Sequence, residues 1–331
     1  MKNGKVWLRF LGVGLLFLLI WWINPTKLID VLEKANIIII IIAVILTLPQ
    51  IIIKSYRWQI MLRSQNIQYS LWNATLAYYG SLFIGLLTPG RFGEFIKASH
   101  VSLDCNVSSG KALSSVLADR LFDLYILILF GCITLVSFSD LNDIYMAGLV
   151  LFMVICLTVG FVLFISDSGF SWLNKLFVYA IRQGILKDTW LERFLGSESW
   201  LVKMRAGFRL LSATTLLICS LLTLLTYGIF FFQCYLLALA LGMRVTFVTV
   251  MSAVSLGSLV TLLPVSISGL GTREASIVAY LGKVGVPAES ALSFSLLVFI
   301  TFYIVGGLLG AVAWWLKPVP LKSSLSSNSK S

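Results

Sequence analysis

The feature that most constrains this chain is a recurrence of apolar runs, each long enough to cross a bilayer, separated by short polar connections. Eight spans are expected: Phe10–Ile23, Ile37–Ile53, Leu71–Leu87, Ala112–Phe138, Ile144–Ile165, Ala213–Leu241, Phe247–Leu263 and Ala291–Leu316. Hydrocarbon offers no partner to backbone N–H and C=O groups, so continuous apolar runs of this length must be helices. Residues are 59% hydrophobic and only 12% charged, too little charge to clothe a soluble domain of 331 residues. The expected fold is an all-α polytopic membrane protein of about eight transmembrane helices.

Two of the runs end in breaks that lipid would not tolerate. Leu262 to Ser276 reads LLPVSISGLGTREAS, with Pro264 removing a donor and Gly269 and Gly271 permitting angles other residues avoid. Thr272 is placed to cap a helix beginning at Arg273, leaving free N–H groups beside a guanidinium. A looser copy precedes it: Ser81 to Ala98 (SLFIGLLTPGRFGEFIKA) matches Ser258 to Ala275 (SLVTLLPVSISGLGTREA). Pro89, Gly90 and Gly93 break the first copy as Pro264, Gly269 and Gly271 break the second. Each break is either a capped connecting loop or a re-entrant segment lining a wet, protein-lined cavity. Matched interruptions in two halves of a chain point to an internal repeat and to a transporter's central site.

Charge sets the orientation. The formal net charge of +11 lies between and beside apolar runs, where the positive-inside bias and anionic lipid account for it. No basic face with a nucleic-acid motif appears, so no nucleic-acid partner is expected. Trp21, Trp22, Asn24 and Pro25 follow Phe10–Ile23 without a small-residue cleavage site, so that run is taken as an uncleaved span. Lys54, Arg57 and Arg63 mark a cytoplasmic loop after Ile53. Phe95 to Lys111 is only moderately apolar and suits a short re-entrant or interfacial helix. Residues 167–211 carry apolar side chains at helical spacing opposite Lys175, Arg182 and Lys187, the pattern of a cytoplasmic amphipathic helix lying on the membrane. That placement conflicts with a simple eight-span count, which puts the segment outside. Residues 1–317 are taken as one transmembrane domain and 318–331 as a disordered, serine-rich tail.

Several chemistries have no residues to support them. His100 is the single histidine and the five cysteines are scattered, so no metal site, cofactor site or catalytic triad is expected. What remains is charge inside apolar runs, which costs roughly 2.5–3.5 kcal/mol per residue on insertion scales and so demands a partner or a wet cavity. Asp119 and Asp123 share one helical face and Arg120 stands one step away: a local ion pair, or carboxylates facing a cavity. Arg91 and Glu94 are three apart and can pair, whereas adjacent Arg273 and Glu274 are expected to point at different groups. Arg91, Arg120 and Arg273 stand beside the breaks with Glu94, Asp119, Asp123 and Glu274 as countercharge. Arginine forks and helix N-termini match phosphate.

At these residues the chain resembles a known family. The segments TPGRFGE, ADRLFDL and LLPVSISGLGTRE are similar to the flippase-like transmembrane domain of lysylphosphatidylglycerol synthases, over about residues 5–317. The resemblance implies a polar core of Gly90, Arg91, Gly93 and Glu94 with Gly269, Gly271, Arg273 and Glu274, and movement of a lipid between leaflets. Because the chain ends in a short tail at Ser331, the family's soluble aminoacyl-transfer activity is not expected of it. The function expected is transport of an anionic phospholipid or polyprenyl-phosphate-linked lipid across the plasma (inner) membrane. Alternatives are a membrane-embedded enzyme or accessory subunit acting on lipid-linked sugars, and a scaffold. Phosphate-bearing lipids, and membrane-associated glycosyltransferases or synthases, are the expected partners.

Overall fold

A computed structural model describes residues 16–23, 25–88, 93–138, 206–261 and 269–318, with isolated positions at 14, 158, 169, 171, 172 and 175. Besides helical residues at 16–23 and 206–209, the helices with described bounds are α1 (Pro25–Glu33), α2 (Ile37–Ile45), α3 (Thr47–Ser64), α4 (Leu71–Leu87), α5 (Ile96–Cys105), α6 (Ser109–Phe138), α7 (Ala213–Ala240), α8 (Phe247–Val260), α9 (Thr272–Lys283), α10 (Ala288–Phe299) and α11 (Gly306–Leu316). A single π turn, Ile300–Val305, joins α10 to α11. No strand occurs among the described residues. Ile37–Ser64, Ala213–Ala240 and Ala288–Leu316 are long and apolar enough to cross a membrane. The all-α membrane architecture therefore stands, while the count of eight spans is not established. The expected Ile144–Ile165 span, most of the amphipathic 167–211 segment and the tail lie outside the described residues, as do Pro89, Gly90, Arg91 and Pro264.

The second apolar run does not stop at Ile53. Its helix is interrupted at Leu46, where Pro49 has no N–H to offer the Ile45 carbonyl one turn back, and then continues to Ser64. Lys54 and Arg57 thus lie on a packed helix rather than in a cytoplasmic loop. Ala213–Ala240 runs unbroken through Tyr227 and Gly228.

The described helices fall into two units of the same plan. Helix starts Ile37 and Ala213, Leu71 and Phe247, and Ile96 and Thr272 are a constant 176 positions apart (213 − 37 = 247 − 71 = 272 − 96). The local chemistry repeats at the same interval. Asn36 and Ser212 cap the first long helix of each unit through their side chains, and Ser70 and Thr246 cap the second. Between them Asn66 (φ 57°) and Gly242 (φ 68°) turn the chain in the left-handed region, where only glycine or a short polar residue is comfortable. The last long helix of each unit, α6 or α10 through α11, follows its short helix after another left-handed residue, Asn106 or Gly285.

Packing obeys the same exchange. Helix α4 lies on α11, and α6 lies reciprocally on α8. At the centre α3 meets α7: Gln50 pairs with Gln233, while Arg57 meets Thr223, so the two helices run antiparallel. Two of their hydrogen bonds are images of each other. Arg57 Nη1 donates to Thr223 Oγ1 (2.7 Å), and Gln233 Nε2 donates to Thr47 Oγ1 (2.9 Å). Equivalent helices that run antiparallel require a pseudo-two-fold axis across them, the inverted repeat of many transporters.

Close helix contact depends on glycine at one seam. A Cβ added at Gly310 would lie 2.5 Å from the Tyr79 carbonyl oxygen and 2.9 Å from Phe83 Cβ. Beyond the end of α11, Lys317 Nζ lies 2.5 Å from Asp104 Oδ2, and Tyr69 donates its O–H to the same oxygen (2.6 Å). This clip ties the end of α11 to α5 and to the α3–α4 connection. On the outside, Ile37, Ile38, Ile41, Ile42 and Ile45 of α2 are exposed, an apolar face suited to lipid.

Candidate functional site

Between the two units lies a cavity of about 420 Å³. Its lining includes the charged Lys54, Glu94, Arg120, Asp123 and Arg273 and is otherwise largely aliphatic and aromatic, with Leu82, Leu124, Phe230, Ile277 and Phe302. The two interruptions therefore converge, since Glu94 from the first and Arg273 from the second line one space.

The first unit supplies a buried ionic network behind this wall. Arg57 on α3 is fully buried and grips Asp119 on α6 through Nη2 (2.5 Å) and Nε (3.0 Å). Its Nη1 lies 3.0 Å from Asp123 Oδ1. The other Asp119 oxygen accepts from Lys97 Nζ on α5 (2.6 Å), and Asp123 also meets Lys54 (3.3 Å). Lys97 Nζ rests over the rings of Tyr78 (4.1 Å) and Trp58 (5.1 Å). Asp119 and Asp123 do share a face, and that face meets cations from two other helices. Arg120, offset from them, turns instead to Glu94. Glu94 reaches it across Gly85, where a Cβ would press to 2.5 Å from Glu94 Cγ; Gly93 in turn sits against the Ile84 carbonyl.

The second break carries the other half. Gly269 (φ 77°) and Gly271 (φ 83°) both adopt left-handed angles, as their placement predicts. Helix α9 begins at Thr272, one residue earlier than expected, and its cap is Gly271, whose N–H donates to Glu274 Oε2 (2.5 Å). Arg273 and Glu274 do pair, contrary to expectation: Glu274 folds back to the helix N-terminus, and Arg273 Nη2 reaches its other oxygen. The Arg273 guanidinium lies over Tyr303 (4.7 Å) and Phe299 (5.2 Å), rings presented by the π turn and the end of α10. Arg273 is 3% exposed, and its Nε and Nη1 have no hydrogen-bond partner among the described residues. Buried N–H groups left unmatched are expensive, and these belong to a residue lining the cavity.

Charge among the described residues of the site is unbalanced. Among the described residues five bases (Lys54, Arg57, Lys97, Arg120, Arg273) meet four acids (Glu94, Asp119, Asp123, Glu274). Moving a proton within any of these pairs leaves the surplus unchanged. No group of three or more His, Cys, Asp or Glu that could hold a metal ion occurs among the described residues.

Sequence reasoning missed Lys54, Arg57 and Lys97. A signal was present: Gln50, Lys54 and Arg57 recur at i, i+4 and i+7, one polar stripe on a helix. Reading Lys54 as the start of a loop concealed it.

Comparison with known proteins agrees with this architecture. The family model described as Lysylphosphatidylglycerol synthase TM region matches residues 9–310. A UPF0104 membrane protein of Pyrococcus horikoshii is 24% identical over 325 residues, covering 93% of this chain and 96% of that one. UPF0104 membrane proteins of Methanothermobacter thermautotrophicus (23%; 93% and 94% covered) and Methanocaldococcus jannaschii (24%; 88% of each) are similar along most of their lengths. No solved structure matches the chain.

Proposed function

The chain belongs to the lysylphosphatidylglycerol synthase transmembrane-region family, and from that premise we propose that it carries the phosphate head group of an anionic phospholipid or polyprenyl-phosphate-linked lipid between membrane leaflets. The observation that carries this reading is Arg273: a guanidinium lining the cavity whose buried Nε and Nη1 have no hydrogen-bond partner among the described residues, in a site where the described bases outnumber the described acids by one. A phosphate on the open side of the guanidinium would give Nη1 or Nε an acceptor beside Nη2, and would offset the charge. The apolar remainder of the wall suits the first carbons of a lipid chain. The plasma membrane is the compartment this reading assigns. Membrane-associated glycosyltransferases or synthases that make or consume such lipids are the partners it would serve.

The test is lipid movement in vesicles of phosphatidylcholine holding a trace of fluorescent phosphatidylglycerol or a fluorescent polyprenyl phosphate. Arg273→Lys keeps the charge but loses the fork, forfeiting about 1.5–3 kcal/mol, so the rate should fall by roughly one to two decades. Full activity in Arg273→Ala at normal folding would remove the reading.

A further inference from the structure

Lys97 and Arg273 hold the same position in the two units, each the second residue of its short helix, α5 from Ile96 and α9 from Thr272. Both are buried, both lie over two aromatic rings, and both are paired with a carboxylate. A pseudo-two-fold axis in the membrane plane sets such equivalent positions at opposite depths. They differ in access. Arg273 lines the cavity, whereas Lys97 stands behind the Tyr78 ring, which itself lines the cavity, and its ammonium is held by Asp119.

We propose that Lys97 and Arg273 are alternate stations for one head-group phosphate, Arg273 in the state described and Lys97 in the state reached when the two units exchange conformations. The inference rests on the lipid-carrier reading and extends it. In the exchanged state Tyr78 withdraws and Lys97 turns from Asp119 to the phosphate. Asp119 is not stranded, because Arg57 already holds its other oxygen through two nitrogens.

The experiment places single cysteines at Lys97 and Arg273 in a background whose native cysteines are replaced, reconstituted in vesicles of phosphatidylcholine and phosphatidylglycerol. A charged methanethiosulfonate that does not cross the membrane is added from either side. Arg273→Cys should react from one side. Lys97→Cys should react from the other, at least tenfold more slowly, and should lose at least tenfold in lipid movement. Attaching an aminoethyl group to that cysteine rebuilds a lysine-like ammonium and should restore movement; attaching an uncharged group of the same length should not. If Lys97→Cys does not fold, Lys97→Cys with Asp119→Asn removes both charges and carries the labelling instead. Reaction of both cysteines from the same side, or no reaction at position 97 in a folded protein, overturns the inference. These outcomes differ from failure of the carrier reading itself, which would appear as full lipid movement in Arg273→Ala.

Discussion

At the scale of single residues, Asp119 fixes more of the site than any arginine does. Its two oxygens hold Arg57 and Lys97, and its backbone carbonyl accepts from Arg57 as well (3.2 Å). Asp119→Ala would leave Lys97 buried and unpaired, a change that costs about 3–5 kcal/mol in comparable buried pairs. Its melting temperature in detergent should fall by on the order of 10 °C, and adding Lys97→Met should recover part of the loss. A fall no larger than that of an ordinary surface substitution would mean the network is loosely solvated. The two aspartates were legible in the sequence because i, i+4 carboxylates in an apolar run are conspicuous. Their cationic partners were not, because Lys54 and Arg57 follow a proline-bearing apolar run and imitate a cytoplasmic flank. Adjacency likewise misled for Arg273 and Glu274: Cβ directions predict divergence, but the cap at Gly271 draws the carboxylate back under the guanidinium.

At the scale of elements, the breaks were legible and their caps nearly so. Gly269 and Gly271 are glycines for the reason their placement suggests, and α4, α6, α7 and α8 lie within a few residues of their expected spans. The π turn was not legible, since nothing in ITFYIV separates it from an ordinary helix. The α4–α11 seam is a direct test of packing. Gly310→Ala sets a methyl against the Tyr79 carbonyl, so the helices must part, at a cost of roughly 1–3 kcal/mol. Gly228→Ala on α7 meets open space and should be neutral or slightly stabilising by comparison in the same melting assay. The clip outside the spans answers to pH. Burial raises the Asp104 carboxyl, but hydrogen bonds from Lys317 and Tyr69 outweigh it and hold the group below its ordinary value. A depressed pKa stabilises the fold above the unfolded value, about 3.9, and that contribution disappears as pH falls through the folded value. The pair is partly exposed, so Asp104→Asn should lower the melting temperature only slightly at pH 7. The gap should close as pH falls below the ordinary carboxylate range; a gap that persists in fully protonating acid would assign Asp104 a role other than this ion pair.

At the scale of the whole molecule, the inverted repeat organises everything else. The sequence showed it only as two similar stretches around prolines, because the units share caps, turns and helix lengths far more than residues. The units have also diverged in charge: Arg57 in the first corresponds to Gln233 in the second, each bonded to the other's threonine, Thr223 or Thr47. The result is one cavity lined by acids, bases and many apolar residues, with the bases in excess by one among the described residues. That surplus is the basis for assigning a phosphate-bearing lipid. The most direct measurement is the rate of fluorescent phosphatidylglycerol movement in vesicles, compared with a fluorescent polyprenyl phosphate, for the unaltered protein, Arg273→Lys and Arg273→Ala at matched folding. One of the two anionic lipids should move with the unaltered protein, with a loss of roughly ten- to a hundredfold in Arg273→Lys and at least as much in Arg273→Ala. Equal rates in all three proteins, or no movement of either lipid by the unaltered protein, would contradict the assignment.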